Sequence, residues 1–181
     1  MPNLYEHELS SYKREIEEQH KARASLSIAR QDPSFNLTHF ALGLSNRANL
    51  IVIGLCSLVE VRLYESVEQK EKESSFKLQD LKGSGLTRLQ VFLTRTDSID
   101  FGKLKSWGDF RNHLYTIRNA LVHGYGGVVP FSNLDKVKKS VEALGIQQVL
   151  CSSRIRFETD ALWKAHKVVS QLIDEINKQT T

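Results

Sequence analysis

The segment that most constrains the fold is apolar on nearly every side. Ala48 to Leu63 lies inside a longer helical pattern that runs from about Leu37 to Lys70. A helix whose apolar residues are spread all round its axis has no face to turn to water, so other helices must cover it. We therefore predict that this helix is the buried centre of a bundle. We expect it to pack as a core pair with a second helix that starts near Lys105.

The other patterns complete a mainly α chain. Apolar periodicity predicts further helices over residues 3–30, 86–94, 105–123, 133–144 and 158–178. Charged residues, glycine and serine predict a loop insertion over residues 68–85, and residues 124–157 predict a turn, a short helix and one or two short strands. At 181 residues we expect a single domain over residues 1–181. Its fold would be a helical bundle of four to five helices with a small β patch near the C-terminal helix.

The helical pattern that ends at Gly124 carries two stripes of opposite character. At about 100° per residue, the apolar stripe and the polar stripe lie on opposite sides of the helix. The apolar stripe consists of Phe110, Leu114, Ile117 and Leu121, and the polar stripe of Asn112, Thr116, Asn119 and His123. A helix that needed only solubility would carry lysine and glutamate on its wet face. Amides, a hydroxyl and an imidazole instead indicate a face that binds a ligand and transfers protons.

Within this helix, Arg118-Asn119-x-x-x-His123 resembles the R-x4-6-H signature of the HEPN superfamily, whose members usually carry a polar residue after the arginine. Arg14 and His20 satisfy the same pattern, and we interpret that pair as accidental. The Arg118 pair is favoured by its asparagine, by the glycine after His123 and by its position at the end of an amphipathic helix. The resemblance covers most of the chain in architecture but only this segment in motif.

The resemblance implies a compact, HEPN-like up-and-down helical bundle that is commonly dimeric. It implies a metal-independent endoribonuclease, a toxin or an antiviral effector, with RNA as substrate and a composite active site at a homodimer interface. A cognate antitoxin would be a further partner. A catalytically silent HEPN-like interaction module is the alternative, in which Arg118 and Asn119 are kept for hydrogen bonds of the dimer.

The three motif side chains, Arg118, Asn119 and His123, have chemistry that suits RNA cleavage. An imidazole gives and takes protons near neutral pH. A guanidinium holds a phosphate with two hydrogen bonds and stabilises its charge, and an amide orients the phosphate or the imidazole. Arg118 and His123 lie about 140° apart on an ideal helix. We therefore expect either that the helix frays at its end, or that a two-fold partner supplies a second pair and buries the amide-rich face.

Three more residues are candidates for a supporting role, and a fourth is a candidate modification site. Glu60 is the one charge in the middle of the apolar segment and needs a basic partner, Arg118 or Arg111, so it either braces the site or forms a structural pair. Arg111 and Tyr115 are candidates for an extended phosphate-binding surface. Tyr125 completes R-x4-H-x-Y. Resemblance to one HEPN branch implies Tyr125 as a modification site for a nucleotidyltransferase antitoxin, although the rest of the sequence departs from that branch.

Composition allows an anionic partner and indicates no cofactor. The net charge is +4 and the pI about 9.1, which permits RNA binding without requiring it. No spacing indicates zinc and no glycine-rich loop indicates a nucleotide, so we expect neither cofactor nor metal. The longest apolar run, Leu50 to Val59, is too short for a bilayer, and residues 1–30 are charged throughout. We therefore expect a cytoplasmic protein with no signal peptide and no membrane partner. Cys56 and Cys151 are predicted to be small buried hydrophobes.

Overall fold

The computed structural model describes residues 4–29, 36–83, 85–124, 128–146, 150–151 and 153–180. The mainly α class is confirmed, with six α-helices in this part of the chain rather than four to five. The helices are α1 (Leu4–Ala29), α2 (Leu37–Glu73), α3 (Gly85–Arg95), α4 (Tyr115–His123), α5 (Leu134–Ala143) and α6 (Thr159–Thr180). Strands β1 (Leu150–Cys151) and β2 (Arg154–Ile155) pair antiparallel just before α6. They form the small β patch that the sequence predicts there.

The centre of the core is formed by the three long helices α1, α2 and α6, which pack against one another. Their inward side chains, such as Ile16, Leu55 and Leu172, have no exposed surface. Gly54 allows α1 to approach α2 closely, because a Cβ there would lie 2.7 Å from the ring of Tyr12. Among the described residues, no helix combines the length and the apolar character that crossing a bilayer requires.

The helix α2 is longer than its pattern predicts. It begins at Leu37, as expected, but continues to Glu73, and the N–H of Ser74 donates a hydrogen bond to the carbonyl of Lys70 at 3.0 Å. The interpretation of residues 68–85 as a loop is therefore wrong for its first six residues, 68–73. Glutamate, glutamine and lysine are good helix formers, so their charge does not by itself end a helix.

One face of α2 lies open to solvent. Leu50, Val61 and Tyr64 are 66%, 48% and 40% exposed, and at their spacing they fall within about 60° of one another on an ideal helix. The described helices that pack on α2, namely α1, α3, α4 and α6, cover its other sides. The prediction of burial on every side is therefore wrong for this exposed apolar face.

The motif helix is helical from Trp107 to His123, but not α-helical throughout. Its first part, Asp109–Leu114, is a π-helical turn, closed by a hydrogen bond from the N–H of Tyr115 to the carbonyl of Phe110. The predicted apolar stripe is buried: Phe110, Leu114, Ile117 and Leu121 are all in the core. The expected packing of this helix on α2 is confirmed, although α2 makes its more extensive contacts with α1 and α6.

Candidate functional site

Arg118 lies on the side of α4 that faces α2, where it forms an ion pair with Glu60. Its Nη2 is 3.0 Å from Oε2 of Glu60, and the two side chains are only 20% and 18% exposed. The sequence predicts a basic partner for Glu60, and that partner is Arg118 rather than Arg111. On its other side, Nη1 of Arg118 donates a hydrogen bond to Oδ1 of Asn119 at 3.0 Å. Its guanidinium is therefore fixed from two directions.

Tyr115 completes this cluster. Its hydroxyl donates a hydrogen bond to Oε1 of Glu60 at 2.7 Å, and its ring centroid lies 5.3 Å from the guanidinium carbon of Arg118. Burial, followed by the hydrogen bond to Glu60, raises the pKa of Tyr115 to about 12. Cys56 is fully buried nearby, as predicted, and burial raises the pKa of its thiol. One carboxylate thus orders a tyrosine and an arginine at the contact between α2 and α4.

His123 lies away from this cluster. It is the last residue of α4 and is exposed, and the helix does not fray before it. Gly124, which follows, is extended and ends the helix as predicted. Within one chain, therefore, the structure does not bring His123 to the guanidinium of Arg118. Tyr125, the candidate modification site, lies outside the described residues.

A groove of about 130 Å³, here called the His123 groove, separates α4 from the start of α5. Its walls are formed by Thr116, Asn119, Ala120, His123, Pro130, Asn133, Lys136 and Val137. Three members of the predicted polar stripe are among them, so that part of the amide-rich face lines the groove beside α5. The burial of this face in a dimer is thus not needed to explain its composition.

The sequence did not indicate Asn133 or Lys136 as site residues. They belong to the segment that contains α5, and nothing in the local pattern distinguishes Lys136 from other surface lysines. Only the packing of α5 against α4 brings its charge to the motif helix. Arg111, which the sequence did indicate, is exposed and lines a second cavity of about 340 Å³ together with Tyr115 and Lys136.

The arrangement offers an imidazole, an ammonium group and amides along one groove, with a guanidinium fixed beside it. These groups are able to bind an anion and to move a proton. None of the described residues that line the two cavities is a carboxylate.

No family model matches the sequence, and no curated protein or solved structure shows a significant similarity to it.

Proposed function

We propose that this protein is a metal-independent endoribonuclease of the HEPN type that acts as a homodimer. The observation that carries the proposal is the position of Asn119. Its Oδ1 accepts a hydrogen bond from Arg118, and its side chain also belongs to the wall of the groove that holds His123. Asn119 therefore binds the guanidinium of Arg118 and also lines the groove that His123 lines.

In the proposed reaction the ribose 2′-oxygen attacks the adjacent phosphorus while the bond to the 5′-oxygen breaks. The products are a 2′,3′-cyclic phosphate and a 5′-hydroxyl. His123 takes the proton from the 2′-hydroxyl or gives one to the departing 5′-oxygen, and His123 of the partner subunit takes the other role. Arg118 stabilises the charge on the phosphate, and Asn119 orients the phosphate or the imidazole. This chemistry needs no divalent cation, and no described residue lining the groove is a carboxylate that would hold one.

The exposed apolar face of α2 supports the proposed homodimer. Leu50 and Val61 lie on that face, and Val122, one turn after Arg118 on α4, is 46% exposed. Apolar side chains that remain exposed on the surface favour an interaction site, and a two-fold partner here would shield Arg118 and bring a second motif. This surface differs from the amide-rich face that the sequence suggested. Light scattering at tens of micromolar measures the assembly, and a fully active monomer would contradict it.

RNA cleavage by the purified protein in EDTA tests the activity. We expect single-stranded RNA to be cut, and His123→Ala to lower the rate by about 10²–10⁴-fold. Arg118→Lys should also lower it, because lysine cannot hold a phosphate with the planar fork of arginine. The accidental pair is the matched control: Arg14 and His20 are exposed on α1, which does not line the His123 groove. Arg14→Ala and His20→Ala should therefore cleave like the wild type.

A modified substrate tests the mechanism. An RNA with one 2′-deoxynucleotide at the scissile position lacks the nucleophile, so we expect it to resist cleavage at that position while the other sites are cut. Mass spectrometry of the products should show 2′,3′-cyclic phosphate ends. Normal cleavage at the deoxynucleotide, or loss of activity in EDTA, would contradict the mechanism.

A catalytically silent interaction module is the second candidate, and one observation favours it. Glu60 already holds the guanidinium of Arg118 within the chain, and Nε of Arg118 is buried without a hydrogen-bond partner among the described residues. Such an arginine stabilises the contact between α2 and α4 whether or not RNA is cut. A homodimer of this protein that does not cleave RNA would support the role of a catalytically silent interaction module. The toxin or antiviral role and a cognate antitoxin remain predictions from the resemblance.

A further inference from the structure

The His123 groove continues into the second cavity, here called the Arg111 cavity. The two share Thr116, Asn119 and Lys136 as walls. Beyond these residues the Arg111 cavity reaches Arg111 and the first turn of α3. His123 lies twelve positions after Arg111 on the motif helix, a distance of roughly 18 Å along an α-helix at 1.5 Å per residue. The combined groove is therefore much longer than a single phosphate group.

The charge along this groove has one sign. Arg111 and Lys136 are exposed, and neither forms an ion pair or a side-chain hydrogen bond with any residue that the structure describes. Three other cavities on the described part of the chain each include at least one carboxylate, from Glu73, Asp97 or the pair Glu17 and Asp160. Among the described residues, the groove beside the motif helix thus combines two cations that have no partner with a lining that has no acidic side chain.

The far wall of the Arg111 cavity adds hydrogen-bond donors. Thr87 presents an exposed hydroxyl, and Gly85 and Leu86 begin the eleven-residue helix α3. The first N–H groups of a helix have no acceptor within the helix and favour an anion. These N–H groups only add to the binding of an anion, which would depend mainly on the charges of Arg111 and Lys136.

We infer that the Arg111 cavity binds a phosphate of single-stranded RNA adjacent to the scissile one, held by Arg111 and Lys136. The inference depends on the proposed function for its ligand, RNA. A polymer fits better than a free nucleotide, because cations spread along a groove of this length match successive backbone phosphates. Binding of this kind is electrostatic and independent of base sequence. The two residues would therefore set how the strand lies across His123.

Binding of a 2′-O-methyl RNA oligonucleotide, which lacks the 2′-hydroxyl nucleophile, tests the inference without any turnover. Fluorescence anisotropy at several salt concentrations gives the Kd and its salt dependence. We expect Arg111→Gln and Lys136→Gln each to weaken binding about tenfold. Each should also reduce, by about 0.7, the magnitude of the slope in a plot of the logarithm of the association constant against the logarithm of the salt concentration. The matched control is Lys138→Gln: this lysine is exposed two residues later on α5, on the opposite side of the helix, and we expect it to bind as the wild type does.

The results separate this inference from the proposed function. If Arg111→Gln and Lys136→Gln retain the wild-type Kd and salt slope, the inference is wrong, whether or not RNA is cleaved. If they lose binding but the wild-type protein does not cleave RNA in EDTA, the phosphate site stands and the nuclease proposal fails. Equal losses in Lys138→Gln would show a general effect of net charge and would also overturn the inference. Thermal unfolding of each variant checks that these exposed substitutions leave the fold intact.

Discussion

Arg118 and Glu60, 58 residues apart in the sequence, form an ion pair across the contact between α2 and α4. Both side chains are mostly shielded from water, whereas the partners in the Glu18–Lys21 pair on α1 are largely exposed. Removing one member of a shielded pair leaves the other charge without its partner in a medium that solvates it poorly. The two residues should therefore be coupled energetically, which distinguishes them from ion pairs on the surface.

A double-mutant cycle measures this coupling. We expect Glu60→Ala to lower the free energy of unfolding by about 1–2 kcal/mol. The double variant Glu60→Ala/Arg118→Ala should lose about 1 kcal/mol less of this free energy than the two single variants lose together. Urea denaturation of the four proteins gives the values. The same cycle on Glu18 and Lys21 is the control, for which we expect no measurable coupling. Additive effects at Glu60 and Arg118 would contradict the prediction.

Tyr115 should make stability depend on alkaline pH. Its pKa in the folded protein is about 12, above the ordinary value of 10.0. A raised pKa means that the protonated hydroxyl stabilises the fold fully below pH 10, and that this contribution is lost as the pH rises from 10 to 12. Because Tyr115 is half-buried, solvent screening limits the expected contribution to about 1 kcal/mol.

The comparison of wild type with Tyr115→Phe isolates this residue. Burial also raises the pKa values of Tyr5 and Tyr12, so both proteins lose stability at high pH. The difference between them in the free energy of unfolding should be constant below pH 10 and should shrink between pH 10 and 12. A difference that stays constant up to pH 12 would contradict the raised pKa of Tyr115 in the folded protein.

The buried stripe of the motif helix should carry much of its stability. Leu114 has no exposed surface, and its truncation would leave a cavity among neighbours that relax only partly. We expect Leu114→Ala to lower the free energy of unfolding by about 2–5 kcal/mol. Asn112→Ala, on the same helix but at an exposed position, should change it by less than about 0.5 kcal/mol. Equal effects in denaturation experiments would show that the helix packs through a different face.

The sequence predicted which side of the motif helix is buried, because apolar periodicity reports directly on burial. It could not predict the π-helical turn over Asp109–Leu114, since this change in the hydrogen-bond ladder leaves the apolar stripe in the core. Nor could it predict which sides of α2 are covered, because the apolar character of Leu50 is the same whether it contacts another helix or solvent.

The candidate site was predictable only where its residues are neighbours in the chain. Arg118, Asn119 and His123 lie within two turns of one helix, and Glu60 was identified because a charge in an apolar segment needs a partner. Lys136 contributes to the site through tertiary packing alone, and a lysine on a short amphipathic helix is ordinarily a surface residue. No pattern in one sequence connects it with Arg111.

Gly124 should be intolerant of a side chain, in contrast to Gly43. A Cβ at Gly124 would collide with the carbonyl oxygen of Val128 and lie 2.6 Å from that of Ala120. Both are backbone atoms, so the chain that leaves the motif helix would have to move. A Cβ at Gly43, inside α2, would meet nothing within 4 Å. We expect Gly124→Ala to destabilise the protein, and Gly43→Ala to stabilise it by about 0.5–1 kcal/mol because alanine favours the helix.

Thermal unfolding of the two glycine variants measures this contrast. If Gly124→Ala melts like the wild type, the segment after α4 is packed less closely than the contact with Val128 indicates. If Gly124→Ala is destabilised but folds, its RNA cleavage should fall as well, because the displaced backbone follows directly on His123. Gly43→Ala, distant from the motif helix in sequence and on another element, should cleave as the wild type does.

Substitutions of Asn119 should reveal whether its hydrogen bond to Arg118 or its position in the groove wall matters for RNA. Oδ1 of Asn119 accepts a hydrogen bond from Arg118, and aspartate would keep that acceptor with nearly the same shape. Aspartate would also place a negative charge in a groove whose described lining has none. Alanine removes the acceptor without adding a charge. If the amide serves only to hold Arg118, Asn119→Asp should be the milder change.

We expect Asn119→Asp, rather than Asn119→Ala, to be the variant that loses more activity. Asn119→Asp should unfold like the wild type but lower kcat/KM for RNA more than Asn119→Ala does, since a carboxylate repels the phosphate that the groove is proposed to bind. Asn119→Ala should cost about 0.5–1.5 kcal/mol of stability through the lost hydrogen bond. Cleavage assays in EDTA at several salt concentrations give the comparison, and the deficit of Asn119→Asp should shrink as salt screens the charge. An Asn119→Asp enzyme as active as the wild type would show that Asn119 does not face the RNA.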